Sequence, residues 1–124
     1  MNLLLDTHVV LWWRLNSRRI NNDARGAIEA ADQVFVSAAS AWEVVIKTGL
    51  GRLRLKDPFA DLVEQSGFEP LPISFAHAQR LAALPRHHID PFDRMLVAQA
   101  QAEQLTLVTH DRGLESYSIS FVWT

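Results

Sequence analysis

Short apolar runs, each too short to form a stable helix, recur along the chain and constrain its fold most strongly. The clearest are Leu3–Leu5, Val34–Val36 and Leu105–Val108. Their length and residue types are those of buried β-strands. The segments between them carry helix signals, and strands separated by helices pair in parallel through right-handed crossovers. The sequence therefore predicts alternating strands and helices.

Residues with short polar side chains predict where the helices begin. The predicted starts are Thr7, Asn22 or Asp23, Ser37 or Ser40, Asp57 with Pro58 following, Ser74, and Asp90. Asp90 is the clearest, because Pro91 takes the first helical position and Asp93 the third, where it is expected to complete a capping box. Together these signals predict a three-layer α/β/α sandwich with a central, mostly parallel sheet of roughly five strands. We expect it to form a single domain over residues 1–124.

The composition excludes several classes of protein. The 124 residues include no Cys, which excludes a disulfide scaffold, a thiolate zinc site and an iron–sulfur cluster. The net charge of −2 argues against a generic nucleic-acid binder, which is usually basic. No apolar run approaches the ~20 residues that span a bilayer, and no basic leader precedes the first run. We therefore expect a cytoplasmic protein without a membrane segment.

Four acidic residues fall where a parallel sheet places its functional site. Asp6 directly follows the first apolar run, and Asp111 lies just beyond the last. Glu43 lies in the helix after the middle run, and Asp93 lies in the first turn of the helix before the last run. Ligands bind beyond the carboxyl ends of parallel strands, so we expect the four to converge. Converging carboxylates repel unless a cation neutralises them, and such oxygen ligands favour Mg²⁺ or Mn²⁺ over zinc.

Each of these acids also has a purely structural interpretation. Asp93 complements the dipole of its helix, and Glu43 stands four residues before Lys47, in the favourable order for an exposed ion pair. Asp111 is positioned to cap a short helix of its own. Asp6 is the hardest to explain in this way, because an unpaired carboxylate at the end of an apolar strand is costly to bury.

Four sequence motifs carry a resemblance to a known family. They are Leu-Leu-Leu-Asp-Thr-His at 3–8, Ser-Ala-Ala-Ser-Ala-Trp-Glu at 37–43, Asp-Pro-Phe-Asp-Arg-Met-Leu at 90–96 and Leu-Val-Thr-His-Asp at 107–111. With these motifs, in this order over nearly the whole chain, the sequence resembles the PIN-domain family, and within it the VapC-type toxins of toxin–antitoxin pairs. The resemblance implies Mg²⁺- or Mn²⁺-dependent cleavage of RNA. It also implies a cognate antitoxin protein as a partner, and a homodimer.

The resemblance assigns the catalytic and metal-binding roles to Asp6, Glu43, Asp93 and Asp111. Thr7, Thr109 and Asp90 adjoin these acids in the sequence and are expected to support them, although Asp90 is explained more simply as a helix cap. The implied reaction is attack of water on phosphorus, which leaves a 5′-phosphate and a 3′-hydroxyl.

Basic and aromatic residues supply further candidates. The candidate RNA contacts are Arg52, Arg54, Arg86 and Arg94. His8 and His110 flank the acids and are candidate hydrogen-bond donors to them. Trp12 lies on a helical stretch, where packing in the core or in a dimer is favoured over base stacking.

Two other functions fit part of the pattern. A response-regulator receiver domain has a similar length and an acidic Mg²⁺ pocket, and Asp57 stands where a phosphoacceptor would be. However, such a domain needs paired acids after its first strand, and here Thr7 follows Asp6. A catalytically silent PIN-like binding protein is the second alternative, which the complete set of four acids disfavours.

Overall fold

Five strands and six α-helices make up the fold in a computed structural model that describes residues 1–124. Their order is β1 (Asn2–Leu5), α1 (Thr7–Arg14), α2 (Asn22–Ala30), β2 (Gln33–Ser37), α3 (Ala38–Gly49), α4 (Phe59–Gln65), β3 (Glu69–Leu71), α5 (Phe75–Ala83), α6 (Pro91–Glu103), β4 (Thr106–Thr109) and β5 (Phe121–Trp123). A 3₁₀ turn, Arg112–Leu114, lies between β4 and β5. None of the helices combines the length and the apolar character needed to cross a membrane.

The strands form one fully parallel sheet in the order β3-β2-β1-β4-β5. From β1 the chain builds the sheet outward to β3 on one side and then returns to place β4 on the other side. The strand order therefore reverses beside β1, and this is where open α/β sheets bind ligands. Receiver domains have a different order, 2-1-3-4-5, so the receiver-domain alternative is wrong.

Both faces of the sheet are buried, which makes the fold a three-layer sandwich as predicted. Leu3 and Leu5 belong to one core cluster with residues of α1 to α4, whereas Leu4 belongs to the other cluster with residues of α6. Successive strand side chains point to opposite faces, so a run of three leucines supplies both cores. Full burial of each such side chain contributes about 1.5–3 kcal/mol.

Three predicted helix starts are confirmed by side-chain hydrogen bonds. Ser37 accepts one from Ala39 N at the start of α3, and Ser74 caps α5. At α6, Oδ1 of Asp90 accepts hydrogen bonds from the backbone N–H groups of Phe92 and Asp93.

Three other starts, and one capping box, were predicted wrongly. Asp6 caps α1 in place of Thr7, because its carboxylate accepts a hydrogen bond from His8 N. Asn21, and not Asn22 or Asp23, caps α2 by accepting from Ala24 N, and Pro58, not Asp57, is the residue before α4. At α6 the backbone N–H of Asp90 donates to His88 Nδ1, so Asp93 does not complete a capping box.

Candidate active site

Asp6 lies at the carboxyl end of β1 and is only 4% exposed. Its Oδ1 accepts a 2.9 Å hydrogen bond from His8 N, and its Oδ2 accepts a 2.7 Å hydrogen bond from Thr109 Oγ1. Burial disfavours ionisation of this carboxyl, but the hydrogen bonds from His8 and Thr109 outweigh it and hold the pKa of Asp6 below its usual value. Asp6, at the end of the central strand, is therefore held in its charged form.

Asp111 and His88 form a contact between the end of β4 and the loop 84–90. His88 Nε2 lies 3.0 Å from Asp111 Oδ2 and 3.8 Å from Asp93 Oδ2. Since His88 Nδ1 accepts the hydrogen bond from Asp90 N, the ring proton of the neutral imidazole belongs on Nε2. His88 therefore donates to Asp111. Ligand atoms of His88, Asp93 and Asp111 all lie within 4.8 Å of one another.

Asp93 is the acid whose ionisation the site opposes most. Burial raises the pKa of Asp93 to about 7, the charges of Asp6, Asp90 and Glu43 add to this effect, and His88 opposes it. A carboxyl that resists ionisation because it is buried, and because other carboxylates lie near it, is stabilised in its charged form by a bound cation.

Glu43 is buried beside the end of β1 and is held from two sides. Thr7 Oγ1 donates a 2.7 Å hydrogen bond to Glu43 Oε1, and Lys47 Nζ lies 2.9 Å from Oε2. The predicted Glu43–Lys47 pair is therefore formed, but Glu43 is 8% exposed, so it is not the surface ion pair of the structural interpretation. Thr7, predicted to support the acids, contacts one of them directly.

The donor set fits a hard divalent cation. Around Asp6, Asp93 and Asp111 the only basic groups within 4.0 Å are the imidazoles of His8 and His88. No lysine or arginine therefore neutralises these three acids. Carboxylate oxygens clustered in this way are the ligands that Mg²⁺ and Mn²⁺ prefer. Asp93 and Asp111, with His88 beside them, form the tightest part of the site, and the charges of Asp6 and Glu43 act on Asp93.

The four candidate arginines fall into two groups. Arg52 and Arg54 are exposed, while the intervening Leu53 packs towards the core, so this segment presents its charges on one side as predicted. Arg86 is also exposed, in the loop 84–90. Arg94 instead uses its guanidinium within the fold. It donates to the carbonyls of Leu81, Leu84 and Pro85 and to the hydroxyl of Tyr117. This engagement favours a structural role for Arg94 over contact with RNA.

His88 is the residue of the site that sequence reasoning missed. In the sequence, His87 and His88 follow Arg86 as a pair, a pattern that fits contact with RNA phosphate and a solvated loop equally. The available signal was the position of His88 two residues before the helix cap Asp90, which allows the imidazole to accept from the cap's N–H. Which acids that imidazole then reaches depends on how the loop packs against β4.

Comparison with known proteins identifies the class. A family model for the PIN domain matches residues 3–119, so the chain belongs to the PIN-domain family, as its motifs predicted. Over 118 residues it is 34% identical to the protein named Ribonuclease VapC22 of Mycobacterium tuberculosis, covering 93% of this chain and 91% of that protein. It is 31% identical over 84 residues to Ribonuclease VapC16 of the same organism, covering 63% of this chain and 60% of that one.

Solved structures share the fold. The VapBC2 complex of Rickettsia felis bound to a promoter DNA fragment contains a chain with a TM-score of 0.73 and 16% identity, covering 98% of each chain. DNA-bound VapBC of Salmonella typhimurium has a TM-score of 0.72 and 20% identity, covering 98% of this chain and 97% of that one. A toxin–antitoxin complex from Klebsiella pneumoniae has a TM-score of 0.68 and 24% identity, covering 97% and 95%. These likenesses establish the three-layer architecture.

Proposed function

We propose that this chain is a Mg²⁺- or Mn²⁺-dependent endoribonuclease and the toxin of a toxin–antitoxin pair. The observation that carries the proposal is the cluster of Asp93, Asp111 and His88, in which the charges of Asp6 and Glu43 act on Asp93. No lysine or arginine pairs with Asp6, Asp93 or Asp111. The name ribonuclease, which both curated relatives bear, supports the reaction class.

Each acid is prepared for this role by its own neighbours. Thr109 and His8 hold Asp6 ionised, and Thr7 and Lys47 fix both oxygens of Glu43. The carboxyl of Asp93, with a pKa of about 7, gives up its proton readily once a positive charge arrives. His88 orients Asp111 by donating to Oδ2. A bound divalent cation supplies charge neutralisation and the activation of water for phosphodiester hydrolysis.

The charge distribution is compatible with an RNA substrate. Four of the 14 acidic residues belong to the site, so ten acidic residues face 12 basic ones elsewhere. A cation-loaded site therefore removes the repulsion that the net charge of −2 first suggested. Hydrolysis by water leaves a 5′-phosphate and a 3′-hydroxyl, and we infer that Arg52, Arg54 and Arg86 contact the RNA backbone.

The decisive experiment is a cleavage assay with a matched pair of variants. Purified protein is incubated with RNA in the presence of Mg²⁺ or Mn²⁺, in EDTA, and as the variants Asp6→Asn and Asp32→Asn. Asp32 is an exposed aspartate that pairs with the N-terminal amine. We expect EDTA and Asp6→Asn to abolish cleavage and Asp32→Asn to preserve it. Cleavage that survives both EDTA and Asp6→Asn would contradict the metal mechanism, and the absence of cleavage under all conditions would favour a silent binding protein.

A cognate antitoxin, a homodimer and a cytoplasmic location complete the proposal. The solved toxin–antitoxin complexes of the same fold support a protein partner. On this chain, Trp42, Val45 and Leu50 of α3 and its C-cap are at least 60% exposed, which is an apolar surface suited to protein contact. Co-expression with the product of the adjacent reading frame should yield a stable complex without ribonuclease activity. Light scattering of the free chain should give the mass of a dimer.

A further inference from the structure

The rings of His8, Trp12 and His110 meet beside the acids of the candidate site. The ring centroids of Trp12 and His110 lie 4.9 Å apart, those of His8 and His110 5.6 Å, and those of His8 and Trp12 6.0 Å. Two of the three pairs meet edge to face. These three residues are called the aromatic cluster below. It joins α1 to the end of β4, two elements that are distant in sequence.

The aromatic cluster borders the site because of where its members stand in the chain. His8 follows Asp6 by two residues, and its Nδ1 lies 3.7 Å from Asp6 Oδ1. His110 directly precedes Asp111. Both imidazoles are exposed, and the side chain of His8 retains 47% of its accessible surface. Their rings are therefore open to solvent immediately next to two of the acids.

Trp12 anchors the cluster and brings a cation to it. It packs in part against the core, which fixes its position. The guanidinium of Arg19 lies 5.4 Å from the centre of the Trp12 ring, and the neighbouring Arg18 is exposed. The surface therefore presents the acids first, then the exposed rings of His8 and His110, and then Arg18 and Arg19. The other tryptophan of this helix differs, because Trp13 packs on Phe68 and contacts no exposed imidazole.

We propose that the exposed rings of His8 and His110, positioned by Trp12, form a subsite that stacks a nucleobase of single-stranded RNA next to the scissile phosphate. Stacking on aromatic side chains is the common way in which proteins hold unpaired bases, whereas bases within a duplex are not available for it. Arg19 would then contact the next phosphate along the strand. The subsite rests on the proposed function, and it assigns the contact with an unpaired base beside the scissile phosphate to these rings.

The test couples a change in the protein to a change in the RNA. Fluorescently labelled single-stranded RNA, with an abasic residue at each position in turn, is bound to the full chain with Ca²⁺ in place of Mg²⁺. Affinity is measured by anisotropy for the wild type, His110→Ala, His110→Phe and His87→Ala. Phe keeps an aromatic face at position 110. His87 is an exposed histidine whose ring lies against Tyr117, outside the aromatic cluster.

We expect loss of the base at one position to weaken binding to the wild type about tenfold. His110→Ala should weaken binding of intact RNA and largely remove the penalty for that abasic residue. His110→Phe and His87→Ala should keep the wild-type penalty. Cleavage of the same RNA with Mg²⁺ by the wild type is measured in parallel.

Two negative results are distinguishable. If wild type and His110→Ala bind and show the same abasic penalties, the stacking subsite is overturned while the proposed ribonuclease function stands. If the wild type neither binds nor cleaves any RNA, both proposals fail together.

Discussion

The hydroxyl of Thr109 donates a 2.7 Å hydrogen bond to Oδ2 of Asp6 and accepts one of 3.1 Å from the backbone N–H of Asp111. Thr109 is fully buried at the end of β4, and Asp6 directly follows the neighbouring β1. One side chain thereby joins the two strand ends that carry the proposed site. The bond also stabilises the negative charge of Asp6.

Replacing Thr109 with Val should remove the hydrogen bonds that join Asp6 to the backbone of Asp111. The substitution conserves shape but leaves Asp6 Oδ2 buried without its donor, which costs about 1–3 kcal/mol of folding free energy. Because the pKa of Asp6 is lowered in the folded protein, this contribution is fully present above the unfolded pKa of 3.8. It is lost progressively as pH falls from there through the lower folded pKa. Denaturant unfolding at pH 7 and at pH 3 should therefore show that Thr109→Val loses less free energy of unfolding at pH 3. Thr106→Val, in the same strand and less buried, is the control. If both variants lost the same free energy of unfolding, the proposed role of Thr109 in stabilising charged Asp6 would be contradicted.

The raised pKa of Asp93 predicts a pH-dependent gain of stability on its removal. A carboxyl whose pKa is about 7 when folded and 3.8 when unfolded makes the cation-free protein less stable as pH rises between these values. Asp93→Asn should therefore raise the Tm of the cation-free protein at pH 8 and change it little at pH 4. The control is Asp61→Asn, also in the first turn of a helix but exposed. A lower Tm for Asp93→Asn at pH 8 would sink the prediction.

Gly113 provides a steric test of the Asp111 position. A Cβ added there would lie 2.9 Å from Asp111 Oδ1 and 3.2 Å from His88 Cδ2, so both side chains would have to shift. We expect Gly113→Ala to weaken Mn²⁺ binding, measured by calorimetry, and to reduce RNA cleavage. At Gly26, in α2, a Cβ meets nothing within 4 Å. Gly26→Ala should stabilise the protein by about 0.5–1 kcal/mol without affecting the site. Unchanged Mn²⁺ affinity in Gly113→Ala would argue against Asp111 as a ligand.

Arg94 and Arg86 should separate structural from RNA-binding roles. Arg94→Ala removes donors from the carbonyl of Leu81 and from those of Leu84 and Pro85 in the loop 84–90, and should cost about 1–3 kcal/mol of stability. Hydrogen exchange in that loop should become faster. Arg86→Ala, at an exposed position, should change stability by less than about 0.5 kcal/mol and should weaken RNA binding with a shallower salt dependence. If Arg94→Ala instead weakened RNA binding and left stability unchanged, Arg94 would be an RNA contact after all.

Local signals made most of the fold predictable. The leucine run at 3–5 reads as a strand buried on both faces, and Ser37, Ser74 and Asp90 mark helix starts through hydrogen bonds to residues two or three positions away. The misplaced starts show the limit of such signals. Thr7 has the right chemistry for a cap, but its hydroxyl bonds Glu43, 36 positions along the chain, while Asp6 caps α1.

The alternation of elements, the parallel sheet and the acids at the strand ends could all be predicted from the sequence alone, because they follow from residue types and short spacings. Which side chains meet depended on the packing of the folded chain. It placed His88 against Asp111, turned Arg94 into the fold and brought His110 onto Trp12. The reason is physical: hydrogen bonds and ring contacts between distant segments depend on how loops and helices pack, and no local pattern of residues encodes that packing.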